Sequence, residues 1–456
     1  MNAHDENAIT KKINLLRRKQ QEKNRINVRN YEDILDELDT CVKTRNGYKI
    51  SSILKLTQLP VDIYILDETM ECELRKNIKK KNFLKHYEQL IIDHFNIFKI
   101  LCNRNNVNWD VLVSTGCKFL STFIHLYSDN LWLLPYLLTI CSFLNNISTL
   151  ADSYYNSNNK SDIYNEENED INEKNKYTIE VLNSIRGKIG IVKGDIEKHG
   201  GFIILMFQSI KLCMKLNNMQ ITTSFLKIIN STDIDYSYIP KFFVVLFKYQ
   251  LGKLYLHKMD YEKAEKEFTW AFSNSKKNKT DFKKKLLESI ISIRLNKGIF
   301  PPKKLLQEYQ LSIYIDIIYS IKQGNIFLYN RVIERFSKYF FINGLNECID
   351  QMHFVVKRNL MKIVVQWWNN NIKDNPNKLY KVPISIFHHI FTWAHITQHH
   401  HHLETLCIIT SLILFKYINA YISYDNNILV LSKNDPFPSL SKSRIANRGP
   451  IDKAYA

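Results

Sequence analysis

At 456 residues the chain is long enough for two or three domains, each with its own core. A composition of 45% hydrophobic and 24% charged residues excludes wholesale disorder, and only 12 glycines and 10 prolines exclude a many-stranded sheet protein, which needs frequent turn residues. The formal net charge of +18 suits an acidic partner, whether nucleic acid, an anionic surface or an acidic protein, and equally a lysine-rich surface spread over every helix.

The chain opens with a polar, basic arm over residues 1–30, with eight Lys or Arg against one Glu between Lys11 and Arg29. Such a run suits nuclear import or nucleic-acid contact, and equally a solvated helix. It lacks the apolar core of a signal peptide. From 31 to 151 the pattern is helical: Phe83, Leu84, Tyr87, Leu90, Ile91 and Phe95 recur at spacings of three and four, giving one apolar stripe. The most apolar run, Leu131 to Leu144, is 14 residues, shorter than the roughly 20 that a bilayer requires. The eight cysteines form no C-x-x-C pair and several sit in apolar runs, which predicts free thiols in a reducing compartment.

Composition shifts at 152–176, where Asn, Asp, Glu and Ser replace nearly all aliphatic residues. That segment cannot bury enough surface to offset its ordering entropy and is predicted to be a disordered acidic insertion. Helices resume over 177–375. Within them Leu251, Gly252 and Tyr255, then Ala264, Phe268 and Ala271 after a turn at Asp260, have the spacing of a tetratricopeptide-like helical pair. Gly252 and Ala264 are expected to face each other where the two helices approach, with the large side chains locking the pair. Further helices stop at Gly298, Gly324 and Gly344, and Leu345 to Asn369 forms one long amphipathic helix.

From 376 to 440 the pattern changes. A short extended segment ends at Pro383, Ser385 is expected to cap a helix running to Ile396, a second helix spans Glu404 to Tyr417, and Ala420 to Ser432 alternates like a hairpin around Asp425-Asn426-Asn427. This is the order of a winged helix. A basic tail, 441–456, follows. The fold expected is mainly α: stacked tetratricopeptide-like helical pairs followed by a C-terminal winged helix.

Three stretches narrow the family. They are Tyr249 to Phe272 with its hairpin spacing; Lys357, Arg358, Asn359 and Leu360 on the long helix; and Tyr421 to Leu440, ending Asn-Asp-Pro-Phe-Pro-Ser-Leu. Over roughly 186–442 these resemble the PCI domain-containing protein 2 family of nuclear mRNA-export subunits. The resemblance implies a scaffold in a transcription-and-export complex at the nuclear pore, with the cytoplasm as a second location. It implies a large PCI-type scaffold subunit and a small acidic protein as partners, and a shared nucleic-acid surface for RNA or DNA. The alternative within the same architecture is a scaffold of a proteasome-lid or signalosome type complex.

No phosphate-binding loop, dinucleotide turn or nucleophile elbow occurs, so the reading is of a protein without catalytic residues, cofactor or metal. His395 and His399 have an i, i+4 spacing that can chelate, but no H-E-x-x-H or zinc-finger spacing accompanies them. The body of the second winged-helix helix is apolar, with Lys416 its one basic residue, which argues against base-specific reading by an autonomous DNA binder. Lys416, Lys433, Lys442 and Arg444 are the residues expected to touch phosphates without regard to sequence.

Overall fold

The computed structural model describes residues 31–55, 68–81, 83–102, 107–158, 174–276, 278–372, 379–394 and 402–440. The basic arm and the basic tail lie outside them. The chain divides into two compact units, Met1–Phe247 and Lys248–Ala456.

The first unit begins with α1 (Tyr31–Lys43), α2 (Gly47–Ile53), α3 (Glu68–Lys80) and α4 (Glu88–Cys102), followed by the longer α5 (Trp109–Asp129) and α6 (Leu134–Asn158). It closes with α7 (Lys176–Lys193), α8 (His199–Leu216) and α9 (Met219–Asn230). Helices α5, α6, α7 and α8 pack on one another. Their core holds Phe119, Phe123, Tyr127, Tyr136 and Phe202, each with at most 2% of its surface exposed. Helix α8 is buried almost all round, and Gly201 lets the Tyr127 ring lie against its backbone, where a Cβ would fall 2.5 Å from a ring carbon.

Two expectations change in this unit. The apolar run at 131–144 belongs to a helical stretch, 131–157, long enough to cross a membrane by length and composition; 61% of its most apolar window is covered by the protein's own helices. Helix α6 also continues through Asn158, into the stretch expected to be disordered. There Asp152 is buried and accepts hydrogen bonds from the amides of Tyr177 (2.9 Å) and Thr178 (3.2 Å), and from the Thr178 hydroxyl. The carboxylate therefore satisfies first-turn donors of α7, which its own N-cap residue, Asn175, does not. Residues 159–173 lie outside the described residues.

The second unit takes in the end of α10 (Lys241–His257) and runs through α11 (Tyr261–Asn274), α12 (Thr280–Asn296), the short α13 (Lys303–Glu308), α14 (Ile313–Gln323), α15 (Ile326–Asn343) and α16 (Asn346–Asn371). Adjacent helices pair: α11 with α12, α14 with α15, and α16 lies against α12, α14 and α15. The stops are where glycine permits the left-handed turn: Gly324 at φ 62° and Gly344 at φ 67° each return an amide to the preceding helix.

A winged helix ends the unit: β1 (Lys381–Pro383), α17 (Ile384–Trp393), α18 (His402–Leu414), β2 (Ala420–Ser423) and β3 (Ile428–Leu431). The sheet order is β1-β3-β2, all antiparallel, with Val382 opposite Leu429 and Tyr421 opposite Val430. Val382, Ile384, Phe387, Phe391, Ile409, Leu412 and Leu429 form its core. Ser385 is not the cap of α17. The helix begins after Pro383 (φ −58°), and the Ile384 amide is taken by the Asn427 carbonyl at 2.9 Å, so the wing supplies the acceptor expected of a hydroxyl. The helix ends at Trp393, and the chain from 395 to 401 lies outside the described residues.

Candidate functional site

The hairpin residues come together as a packed pair. Leu251, Tyr255, Ala264, Phe268 and Ala271 are all buried. Asp260 opens α11, accepting from the Lys263 amide at 3.2 Å, after Met259 makes the left-handed turn at φ 58°. What Gly252 makes room for is Phe268, not Ala264: a Cβ at Gly252 would fall 2.8 Å from two ring carbons of Phe268. The small residue is needed because an aromatic ring, rather than a facing helix backbone, fills the approach.

The long-helix motif is the joint of this unit. Arg358 is only 7% exposed, and its fork reaches three main-chain oxygens of the winged helix and its tail. Nε donates to Tyr417 O (3.3 Å), and Nη2 to Phe437 O (3.0 Å) and Pro438 O (2.8 Å). Nη1 donates to Asn359 Oδ1 at 2.8 Å, and the guanidinium lies 5.7 Å from the centre of the Phe437 ring. Burial pulls the guanidinium below its ordinary range, with Asp435 opposing that shift; an arginine stays charged regardless. Proline suits this tail because a residue without an N–H leaves no donor to satisfy while its carbonyl still accepts.

Asn359 faces the other way, donating from Nδ2 to Ile321 O at 2.7 Å. The Leu360 backbone rests on Gly324, where a Cβ would sit 2.5 Å from the Leu360 nitrogen. Lys357 is half-buried, and burial pushes its ammonium down. Beside it His353 is held at about 4 by burial and then by the Lys357 charge. Arg358, Asn359 and Leu360 thus tie α16 to the helical stack on one side and to the winged helix on the other.

Of the four phosphate-contact candidates, Lys416 and Lys433 are exposed, while Lys442 and Arg444 lie outside the described residues. Helix α18 stops at Leu414, so Lys416 sits beyond it, in a left-handed turn at φ 58°. The two lysine-bearing segments do run together: Ser432 N donates to Asn419 O (2.9 Å), and Asn419 donates to the carbonyls of Pro436 (2.9 Å) and Asp435 (2.8 Å). The same bonds bring the Asp435 segment alongside. His395 and His399 are outside the described residues; His388 shares a hydrogen bond with the Thr405 hydroxyl at 3.0 Å. The winged helix also exposes large apolar side chains: Trp393, Leu403, Leu414, Tyr421 and Tyr424.

No family model matches the chain. Enhanced ethylene response protein 5 of Arabidopsis thaliana is 23% identical over 333 residues, 72% of this chain and 76% of that protein. A PCI domain-containing protein 2 homolog from Dictyostelium discoideum is 28% identical over 235 residues; the match spans 51% of this chain and only about half, 52%, of that relative. A homolog of the same name from Drosophila melanogaster is 23% identical over 329 residues, 72% of this chain and 78% of the relative. By these similarities, and by a helical stack closed with a winged helix, the family this chain resembles is that of PCI domain-containing protein 2.

Proposed function

We propose that the chain is a non-catalytic scaffold subunit of a nuclear mRNA-export and transcription-coupled complex at the nuclear pore. In this reading the helical stack and winged helix bind a large PCI-type scaffold subunit and a small acidic protein. The assembly contributes a nucleic-acid surface without sequence preference.

The observation that carries the scaffold reading is the Arg358 clasp. A winged helix bonded through one buried fork to the long helix of the stack is presented as a rigid face rather than as a tethered module. Exposed Trp393 and Tyr421, 80% and 64% accessible, give that face the apolar, aromatic character of a protein-protein contact.

The second reading is a scaffold of a signalosome-type complex. It is favoured by one relative, from Mycosarcoma maydis, named Protein CSN12 homolog. Affinity purification of the tagged chain from nuclear extract, followed by mass spectrometry, separates the two. Co-purifying export subunits support the first reading, and lid or signalosome subunits support the second.

A further inference from the structure

The nucleic-acid surface was expected on the winged helix and its tail, where Lys442 and Arg444 lie outside the described residues. In the described residues of the winged helix, Lys381, Lys416 and Lys433 are matched by Glu404, Asp425 and Asp435, leaving no net charge.

The positive charge of this unit gathers on the helical stack. Lys276 and Lys279 precede α12, Lys283 and Lys284 stand in its first turns, and Lys303 and Lys304 open α13. The structure brings the start of α12 against the ends of α11 and α13. Lys284 donates to Gln310 O at 3.3 Å, just past the end of α13, and Lys283 lies 5.1 Å over the Phe272 ring at the end of α11. Phe272 in turn packs 6.4 Å from Tyr309.

An open recess of about 590 Å³ runs between the start of α12 and the end of α13, lined by Thr280, Lys283, Lys284 and Tyr309. Asp281 and Glu308, also on its wall, are the carboxylates that face it. Among the described residues none of the six lysines forms an ion pair, whereas nearby Arg294 and Lys297 are both held by Glu265.

We infer that this lysine edge is a binding surface for single-stranded nucleic acid, with the lysines along the phosphates and the half-exposed Phe272 and Tyr309 rings offering faces to bases. The inference rests on the nucleic-acid part of the proposed function and adds to it a face on the stack. Unpaired cations set beside aromatic rings suit an unstacked strand, whose bases need ring faces as well as charge. An acidic polypeptide would use the charge and leave the rings unused.

The test uses the full-length chain and a fluorescent 20-nucleotide uridine oligomer, with affinity measured across a salt series. Each phosphate contact contributes about 0.7 to the slope of log affinity against log salt for single strands. Replacing Lys276, Lys279, Lys283 and Lys284 together by Gln should flatten the slope by about 3, with the thermal midpoint kept near wild type. Lys303→Gln with Lys304→Gln, which leaves the Lys283–Phe272 and Lys284–Gln310 contacts in place, should flatten it by about 1.4. Lys416→Gln with Lys433→Gln should leave it unchanged.

Three results would overturn the inference: no binding by the wild-type chain, an unchanged slope in both edge variants, or loss of slope only in the winged-helix variant. So would edge variants that lose binding to polyglutamate while holding the oligomer as wild type does. None of these results bears on which subunits co-purify, so the scaffold reading stands or falls separately.

Discussion

Arg358 Nη2 donates to the Pro438 carbonyl oxygen at 2.8 Å, joining two residues 80 apart in the chain. The bond is one of three from the same guanidinium to main-chain oxygens. Replacing the arginine removes the donor and leaves buried acceptors behind, which is the costly direction of the change.

Arg358→Ala should therefore lower the stability of the second unit by about 3 kcal/mol, the value of charged hydrogen bonds plus the orphaned carbonyls. Arg358→Lys keeps the charge without the planar fork and should lose a good part of the same amount. Denaturant unfolding followed by tryptophan fluorescence would measure both. Loss of less than about 1 kcal/mol in the alanine variant would show the clasp to be incidental.

Gly252→Leu should cost at least about 1–3 kcal/mol, because even a Cβ intrudes on the Phe268 ring. The double variant Gly252→Ala with Phe268→Leu should recover part of the loss of Gly252→Ala, since the two positions share one space. Additive losses in that double-mutant cycle would mean that glycine and ring do not meet.

Much of this architecture was legible in the sequence, and the parts that were not share a cause. Glycines at 324 and 344 mark their own helix ends because the left-handed turn is a local property. The hairpin spacing likewise reports a local fold, yet it could not say that Phe268 rather than Ala264 meets Gly252, since that depends on a rotamer. Ser385 looked like a cap because its acceptor is local; the acceptor actually used, Asn427 O, comes from the wing. Arg358 could be named as part of a motif, but its role rests on Tyr417, Phe437 and Pro438, which no spacing rule links to it. Asp152 was hidden in the same way, inside a stretch whose composition is otherwise that of a disordered insertion.

Asp152→Ala should destabilise the first unit by about 1–2 kcal/mol, as expected for loss of a helix-capping carboxylate. Deleting 159–173 should leave its thermal midpoint nearly unchanged, because long surface connections add little to closure cost. Removing 152–176 entirely should behave like the substitution or worse. If the two deletions proved equal, the carboxylate would contribute nothing to α7.

His94 gives the first unit a dependence on pH. It is fully buried, its Nδ1 is 2.8 Å from the Tyr136 hydroxyl, and burial pushes its pKa from 6.5 to about 3. The unfolded chain therefore binds a proton that the folded chain refuses between those values. Stability from this group is complete above the unfolded pKa and falls as the pH drops towards 3, by about 1.4 kcal/mol per pH unit. His94→Gln should flatten that decline between pH 6.5 and pH 4, read from urea midpoints at each pH. An equal decline in both proteins would assign the acid sensitivity to other groups.

In the proposed role the stack and the winged helix act as one presented face, held by Arg358, on which partner subunits assemble. The direct measurement is quantitative mass spectrometry of partners recovered with tagged wild-type chain and with Arg358→Lys, at equal amounts of soluble folded protein. The wild type should bring down a second, large helical-repeat and winged-helix subunit, and the variant should recover several-fold less of it. Equal recovery of the same partners by both proteins, or recovery of none by the wild type, would contradict it.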